Sequence, residues 1–202
     1  MKNNSIMNIQ KSFPFVLVFF ILFGGCTKKV VKDGLESTWY ENGQKHGETT
    51  YKDSKLEGIS TDWYENGQKK SETTYKDGKK EGICTNWFEN GQKASELTFK
   101  DGKEEGLAAD WYKNGQKRCE INCKDAKQNG LATAWFETGQ KMTEATFKNG
   151  KLDGIETTWY KNGQKRSECT YIDGKKEGIA TSWYGNGKKS GEETYKNGEL
   201  VK

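Results

Sequence analysis

The side chains able to perform chemistry in this sequence are few, and their spacing is too even for a catalytic site. His46 is the sole histidine, and the corresponding positions elsewhere in the chain hold Lys70, Ala94, Arg118, Met142, Arg166 and Ser190. A position that accepts six other side chains reads as solvent-exposed variation and not as a general base. A Lys–Glu pair recurs in the same way, from Lys45 with Glu48 to Lys189 with Glu192. Catalysis needs the opposite arrangement, in which nucleophile, base or metal ligands converge where symmetry is broken. The expectation is a protein that is not an enzyme and uses no cofactor. Cys119 and Cys123 lie four residues apart, about 13 Å along a strand, which is beyond disulfide reach. Cys84 and Cys169 are farther away still, so free thiols are expected and zinc ligation is not.

The elements that carry these groups follow from a period. Trp39, Trp63, Trp87, Trp111, Trp135, Trp159 and Trp183 are each 24 residues apart, without an insertion or deletion. Such self-similarity marks a repeat array, in which each unit packs mainly on its neighbours. Each copy opens with Gly and Leu or Ile, passes three variable residues to Trp and an aromatic, and turns at a segment such as Glu65-Asn66-Gly67. Lys69, Glu72, Thr74 and Tyr75 follow, then a second turn at Asp77-Gly78. Asn-Gly and Asp-Gly between short β-prone runs signal two-residue hairpins. One repeat is therefore two antiparallel strands, and seven repeats give about 14 strands in a single up-and-down sheet roughly 67 Å long.

With Asn66-Gly67 as a two-residue turn, Trp63 faces Lys70 and Gly58 faces Tyr75. Ile59, Thr61, Trp63, Glu72 and Thr74 then share one face, and Tyr64, Lys69, Ser71, Thr73 and Tyr75 the other. Only 32% of the chain is hydrophobic and 31% is charged, little for a rounded core, so an elongated single sheet held by aromatic files is expected. The candidate binding surface is these files with their lysines: Trp63, Tyr64 and Lys69; Trp87, Phe88 and Lys93; Trp111, Tyr112 and Lys117; Trp135, Phe136 and Lys141; Trp159, Tyr160 and Lys165.

Residues 1–25 have a different character: Lys2 and Lys11 precede the apolar run FPFVLVFFILF, then Gly24 and Gly25. This reads as an export signal. The ending LFGGC resembles the lipobox of bacterial lipoproteins, which implies lipidation of Cys26, a short linker over 26–33 and the array over 34–202. Without Lys2 and Lys11, 31 basic residues remain against 29 acidic ones, and nothing points to nucleic acid.

The repeated G-x-x-x-x-W-Y-x-N-G of these copies resembles the MORN repeat in its bacterial MORN_2 variant, a family that includes YwqK-type antitoxins. The resemblance covers about 34–198 and implies an elongated antiparallel meander that serves as an interaction scaffold. Together with the signal it implies a non-catalytic lipoprotein of the cell envelope, on the periplasmic face of the outer membrane or at the cell surface. Its expected partner is a protein or a second copy of itself. Two alternatives stay open: an antitoxin that neutralises a partner toxin, and a module for anionic phospholipid.

Overall fold

The computed structural model describes residues 33–201, so the signal segment and Cys26 lie outside the described residues. From Gly34–Trp39 to Glu199–Leu200 the chain forms one open antiparallel sheet of sixteen strands, paired in chain order except that Gly58–Trp63 pairs directly with Lys45–Lys52, past the two-residue strand Lys55–Leu56. The fold is the expected all-β meander with two strands per repeat. The count exceeds fourteen because two short pieces, Lys55–Leu56 and Glu199–Leu200, pair separately with Lys45–Lys52 and Lys189–Lys196. In later repeats the piece equivalent to Lys55–Leu56 runs unbroken into the next strand, as in Lys79–Trp87.

The two turns of a repeat differ. Asp77 and Gly78 have φ angles of 50° and 79°, the conformation of a two-residue type I′ hairpin, and Lys76 pairs with Lys79 across it. At Asn66-Gly67 the structure corrects the expectation, because only Gly67 has positive φ, at 84°. The Gly67 N–H donates to the Tyr64 carbonyl at 2.9 Å and the Tyr64 N–H to the Gln68 carbonyl at 2.8 Å. This is a three-residue loop, a type I turn closed by a left-handed glycine. Trp63 therefore pairs with Lys69 and not with Lys70. A bulge after Lys69 then absorbs one residue, and Asp62–Ser71, Thr61–Glu72 and Gly58–Tyr75 pair in the expected register.

The bulge also reassigns a face. Residues three apart on a regular strand point to opposite sides, but the extra residue turns Lys69 onto the face of Trp63, Thr61 and Glu72, where it forms an ion pair with Glu72. A regular two-residue turn would have left Lys69 on the Tyr64 face.

The opposite face carries a file of paired residues along the ribbon: Ser60 with Thr73, Cys84 with Leu97, Ala108 with Ile121 and Ala132 with Ala145. The middle of this file is the core. Ile121 and Ala145 are fully buried, with Ala108, Ala132, Cys123 and Phe147 packed around them. A single sheet has no second layer, so burial of Ile121 requires neighbours on its own face to close over it. The sheet therefore curls toward this face, as bulges and kinks at glycine allow.

Hydrogen bonds at fixed offsets tie each repeat to the next. The Tyr64 hydroxyl donates to the Trp87 carbonyl at 2.8 Å, and the Asn66 amide donates to the Glu89 carbonyl at 3.0 Å. The Asn66 side-chain oxygen accepts from the Gln68 N–H at 3.0 Å, so one residue shapes its own turn and holds the neighbouring one. Glu57 likewise accepts from the Asp77 N–H at 2.9 Å. These bonds give a reason for the Tyr, Asn and Gly of the repeated motif.

The fourth repeat closes its second turn with Asp125-Ala126, at φ 51° and 60°. An alanine in the left-handed region costs about 1–2 kcal/mol, partly offset because glycine loses more entropy on folding. Ala126→Gly is expected to stabilise the protein by roughly 0.5–1 kcal/mol, raising the urea midpoint at constant slope. A lower midpoint would contradict the strain assigned to this turn.

Candidate functional site

The residues expected to form a binding surface do not form a single one. On the tryptophan face each lysine ammonium lies over the tryptophan of the following repeat: Lys45 over Trp63 at 5.4 Å, Lys69 over Trp87 at 5.7 Å, Lys93 over Trp111 at 5.6 Å and Lys117 over Trp135 at 5.7 Å. Lys141 over Trp159 and Lys165 over Trp183 continue the series at 5.7 and 5.8 Å. The same lysines form ion pairs with the glutamate three residues on, as Lys117 with Glu120 and Lys165 with Glu168, both at 2.5 Å. The Lys165 hydrogen bond holds the Glu168 carboxyl below its usual range. Partly exposed pairs of this kind contribute about 0–1 kcal/mol each, and cation–π contacts about 0.5–1 kcal/mol.

The second aromatic file stands apart at the turns. The hydroxyls of Tyr64, Tyr112 and Tyr160 donate to carbonyls of the next repeat. Phe88 and Phe136 fill the same place without a hydroxyl. Cations lie over three of these rings: Lys70 over Tyr64 and Arg166 over Tyr160, each at 5.8 Å, and the turn residue Lys161 over Phe136 at 5.9 Å. Tryptophans and lysines thus meet on one face, against the expectation that set Lys69 beside Tyr64, while the Tyr/Phe file stands apart, and much of the polar capacity of both is engaged within the array.

The position of His46 needs a correction. His46 itself is exposed, with its Nδ1 3.3 Å from Thr38 Oγ1. Its equivalent Arg118, however, forms a two-pronged pair with the buried Asp110, Nε to Oδ1 at 3.1 Å and Nη2 to Oδ2 at 2.5 Å. Met142, one repeat on, packs against Cys119 and Ala134. A signal was present in the sequence, since residues eight apart change together from Asp110–Arg118 to Ala134–Met142.

The sequence reading also gave no role to the aliphatic residue that opens each repeat. Leu35, Ile59, Ile83, Leu107, Leu131, Ile155 and Ile179 all stand exposed on the tryptophan face, from 43% at Leu107 to 62% at Leu35.

The opposite face departs from its pattern near the C-terminal end. There the central file continues as Glu156 paired with Cys169 and Ala180 paired with Glu193. Two carboxylates thus stand where middle repeats have Ala132 and Ala145. A cleft of about 200 Å³ opens here, whose lining includes Glu156, Tyr171, Lys176, Ala180, Gly191 and Glu193. Gly191 replaces the Ser, Cys or Thr of the preceding five repeats, which removes a side chain from its floor. Burial pushes the Glu156 carboxyl up, against the opposing effects of the Tyr171 hydroxyl and Lys176. Glu193 accepts from the Tyr195 hydroxyl at 2.6 Å, and the Lys176 ammonium lies 4.6 Å from the Tyr195 ring centre. Carboxylates beside aromatic rings suit a cationic or hydrogen-bond-donating side chain of a partner.

The four thiols of the described chain are free and buried. Burial, more than the nearby Asp110, pushes Cys119 up to about 12, and burial with Glu104 pushes Cys123 up to about 11. A raised value means less thiolate at any given pH, at pH 8 roughly one part in 10⁴ for a thiol near 12. Iodoacetamide at pH 8 is therefore expected to modify Cys119 and Cys123 at least about a hundredfold more slowly in the folded protein than in urea. Equal rates in the two states would contradict their burial.

The arrangement defines a single-layer β repeat protein built on a 24-residue unit. Segments 32–53, 56–77, 80–101, 128–149, 152–173 and 176–197 match the family described as MORN repeat variant, and the chain belongs to that family. The match passes over the fourth repeat, the one with Cys123 in place of Tyr75 and with Asp125-Ala126 in its turn. No curated protein matches the chain. Arrays of this family are consistent with a module that binds protein or lipid.

Proposed function

We propose that this is a non-catalytic envelope lipoprotein, held to the membrane through acylated Cys26, whose array binds a protein partner on its curled face. The observation that carries the reading is the cleft between Glu156 and Glu193. Here two carboxylates, each held by a tyrosine hydroxyl, replace apolar residues, and a glycine opens the space beneath them. A basic segment of the partner fits this lining. Anionic phospholipid has less support, because the lysines it would need are each paired with a glutamate in the same strand. A toxin would be one identity for the protein partner.

Two substitutions test the parts of this reading separately. Cys26→Ser is expected to abolish incorporation of radiolabelled fatty acid and to release the protein from the membrane fraction. The array stays folded, since residue 26 precedes the first strand, Gly34–Trp39. Wild-type protein that is unlabelled and wholly soluble would overturn the anchoring. Glu193→Lys, at an exposed position, is expected to weaken partner capture from envelope extracts at least about tenfold, as for loss of a charged contact and its replacement by repulsion. Undiminished capture would overturn the cleft as the site.

A further inference from the structure

The floor of the cleft has a spacing that narrows what can enter it. Glu156 pairs with Cys169, and Ala180 pairs with Glu193. Glu168 pairs with Thr181, so Cys169 and Ala180 stand next in register. The row therefore reads carboxylate, two small apolar groups, carboxylate, across four neighbouring strands from Lys151–Trp159 to Lys189–Lys196. Three strand spacings, about 14 Å, separate its two ends. An extended segment laid along such a row presents every second residue to it, so residues i and i+4 stand about 13 Å apart with i+2 between them. The complement of the row is a basic residue at each end and an apolar one in the middle.

The linker of this chain carries that pattern. In Lys28-Lys29-Val30-Val31-Lys32, outside the described residues, Lys28, Val30 and Lys32 are the alternate positions. We infer that the cleft takes segment 28–32 of a second copy, with Lys28 and Lys32 on the two carboxylates and Val30 over Cys169 and Ala180. The inference rests on the cleft being the binding site proposed above, and it names the partner.

Reach selects another copy as the donor. Gly34–Trp39 lies ten strand spacings from Lys151–Trp159, roughly 48 Å along the ribbon, whereas six extended residues before Gly34 span at most about 20 Å. Charge in the cleft itself agrees. Glu168 and Glu192 are engaged by Lys165 and Lys189. Lys176 is the one cation among the lining residues, and its ammonium is turned over the Tyr195 ring. Glu156 and Glu193 together thus exceed it by one negative charge, and Lys176 competes with an incoming lysine for them.

A photoreactive residue at Val30 of the tagged full chain, expressed in intact cells with a differently tagged copy that lacks it, tests the contact. The expected result is an adduct between the two copies that maps within 165–183 of the acceptor. Lys28→Gln with Lys32→Gln in the donor precedes the first strand and is expected to cut the adduct at least about tenfold. Lys29→Gln, on the other side of an extended segment, is expected to leave it within about twofold. In the acceptor, Glu193→Lys is expected to remove the adduct and Lys176→Gln to raise its yield. Equal losses from Lys29→Gln and the Lys28, Lys32 pair, a lower yield from Lys176→Gln, or an adduct confined to one chain would overturn the inference. An adduct from Ser182 to a different protein, with none between copies from Val30, would overturn it and leave the cleft as a binding site. No adduct from Ser182 to any protein would overturn both.

Discussion

Arg118→Ala is expected to destabilise the array by about 3–5 kcal/mol, the scale for removing one partner of a buried ion pair. The Asp110 side chain is 3% exposed and that of Arg118 35%, so the carboxylate depends on the guanidinium for most of its compensation. Even with the pair intact, burial outweighs Arg118 and holds the Asp110 carboxyl above its usual range. Without Arg118 the shift grows. A carboxyl whose folded value lies above its unfolded value binds more protons when folded, so stability falls as pH rises through that window. The variant is therefore expected to recover part of its loss as pH falls from neutrality toward the ordinary carboxylate range, measured by urea unfolding at each pH. Copying the next repeat, with Asp110→Ala and Arg118→Met together, is expected to be neutral or stabilising by up to about 4 kcal/mol, because an apolar pair carries no desolvation penalty. A loss below about 1 kcal/mol for Arg118→Ala would contradict the role of the pair.

The second large effect is expected at Ile121→Ala, a loss of about 2–5 kcal/mol. Ile121 is fully buried, and its neighbours along the file, Ala108, Ala132 and Ala145, are too small to close the space it leaves. In a repeat array each unit is stabilised chiefly by its neighbours, so weakening the middle repeat uncouples the two halves. Unfolding should then lose cooperativity as well as stability, visible as a shallower urea transition and as separate protection of the two halves in hydrogen exchange. A single steep transition with an unchanged midpoint would contradict a core centred on this residue.

Much of this fold was legible in the sequence, for reasons particular residues make clear. The invariant tryptophan spacing set the repeat, and the pair Asp77-Gly78 set a two-residue hairpin whose angles the structure reproduces. The pairing of Gly58 with Tyr75 was also right, although the reasoning behind it was incomplete. Asn66-Gly67 looks like a second hairpin of the same kind, but here Asn66 uses its side chain to brace its own turn and the next repeat, which leaves Gly67 alone in the left-handed region. The resulting three-residue loop and the bulge after Lys69 cancel in register but not in facing, so Lys69 was assigned to the wrong side. Asp110 with Arg118, and Glu156 with Glu193, were hidden for a different reason. They are departures within a repeat, and their meaning depends on which residues the register sets side by side.

The most direct measurement of the proposed binding role is photocrosslinking in intact cells from a photoreactive residue at Ser182, which lines the cleft. Thr38, at the equivalent position six repeats earlier in the chain, is the control, on the same face but far from Glu156 and Glu193. The expected result is one discrete protein adduct from Ser182, none from Thr38, and loss of the adduct when Glu193→Lys is added. No adduct from Ser182, or the same adduct from both positions, would contradict a partner site in this cleft.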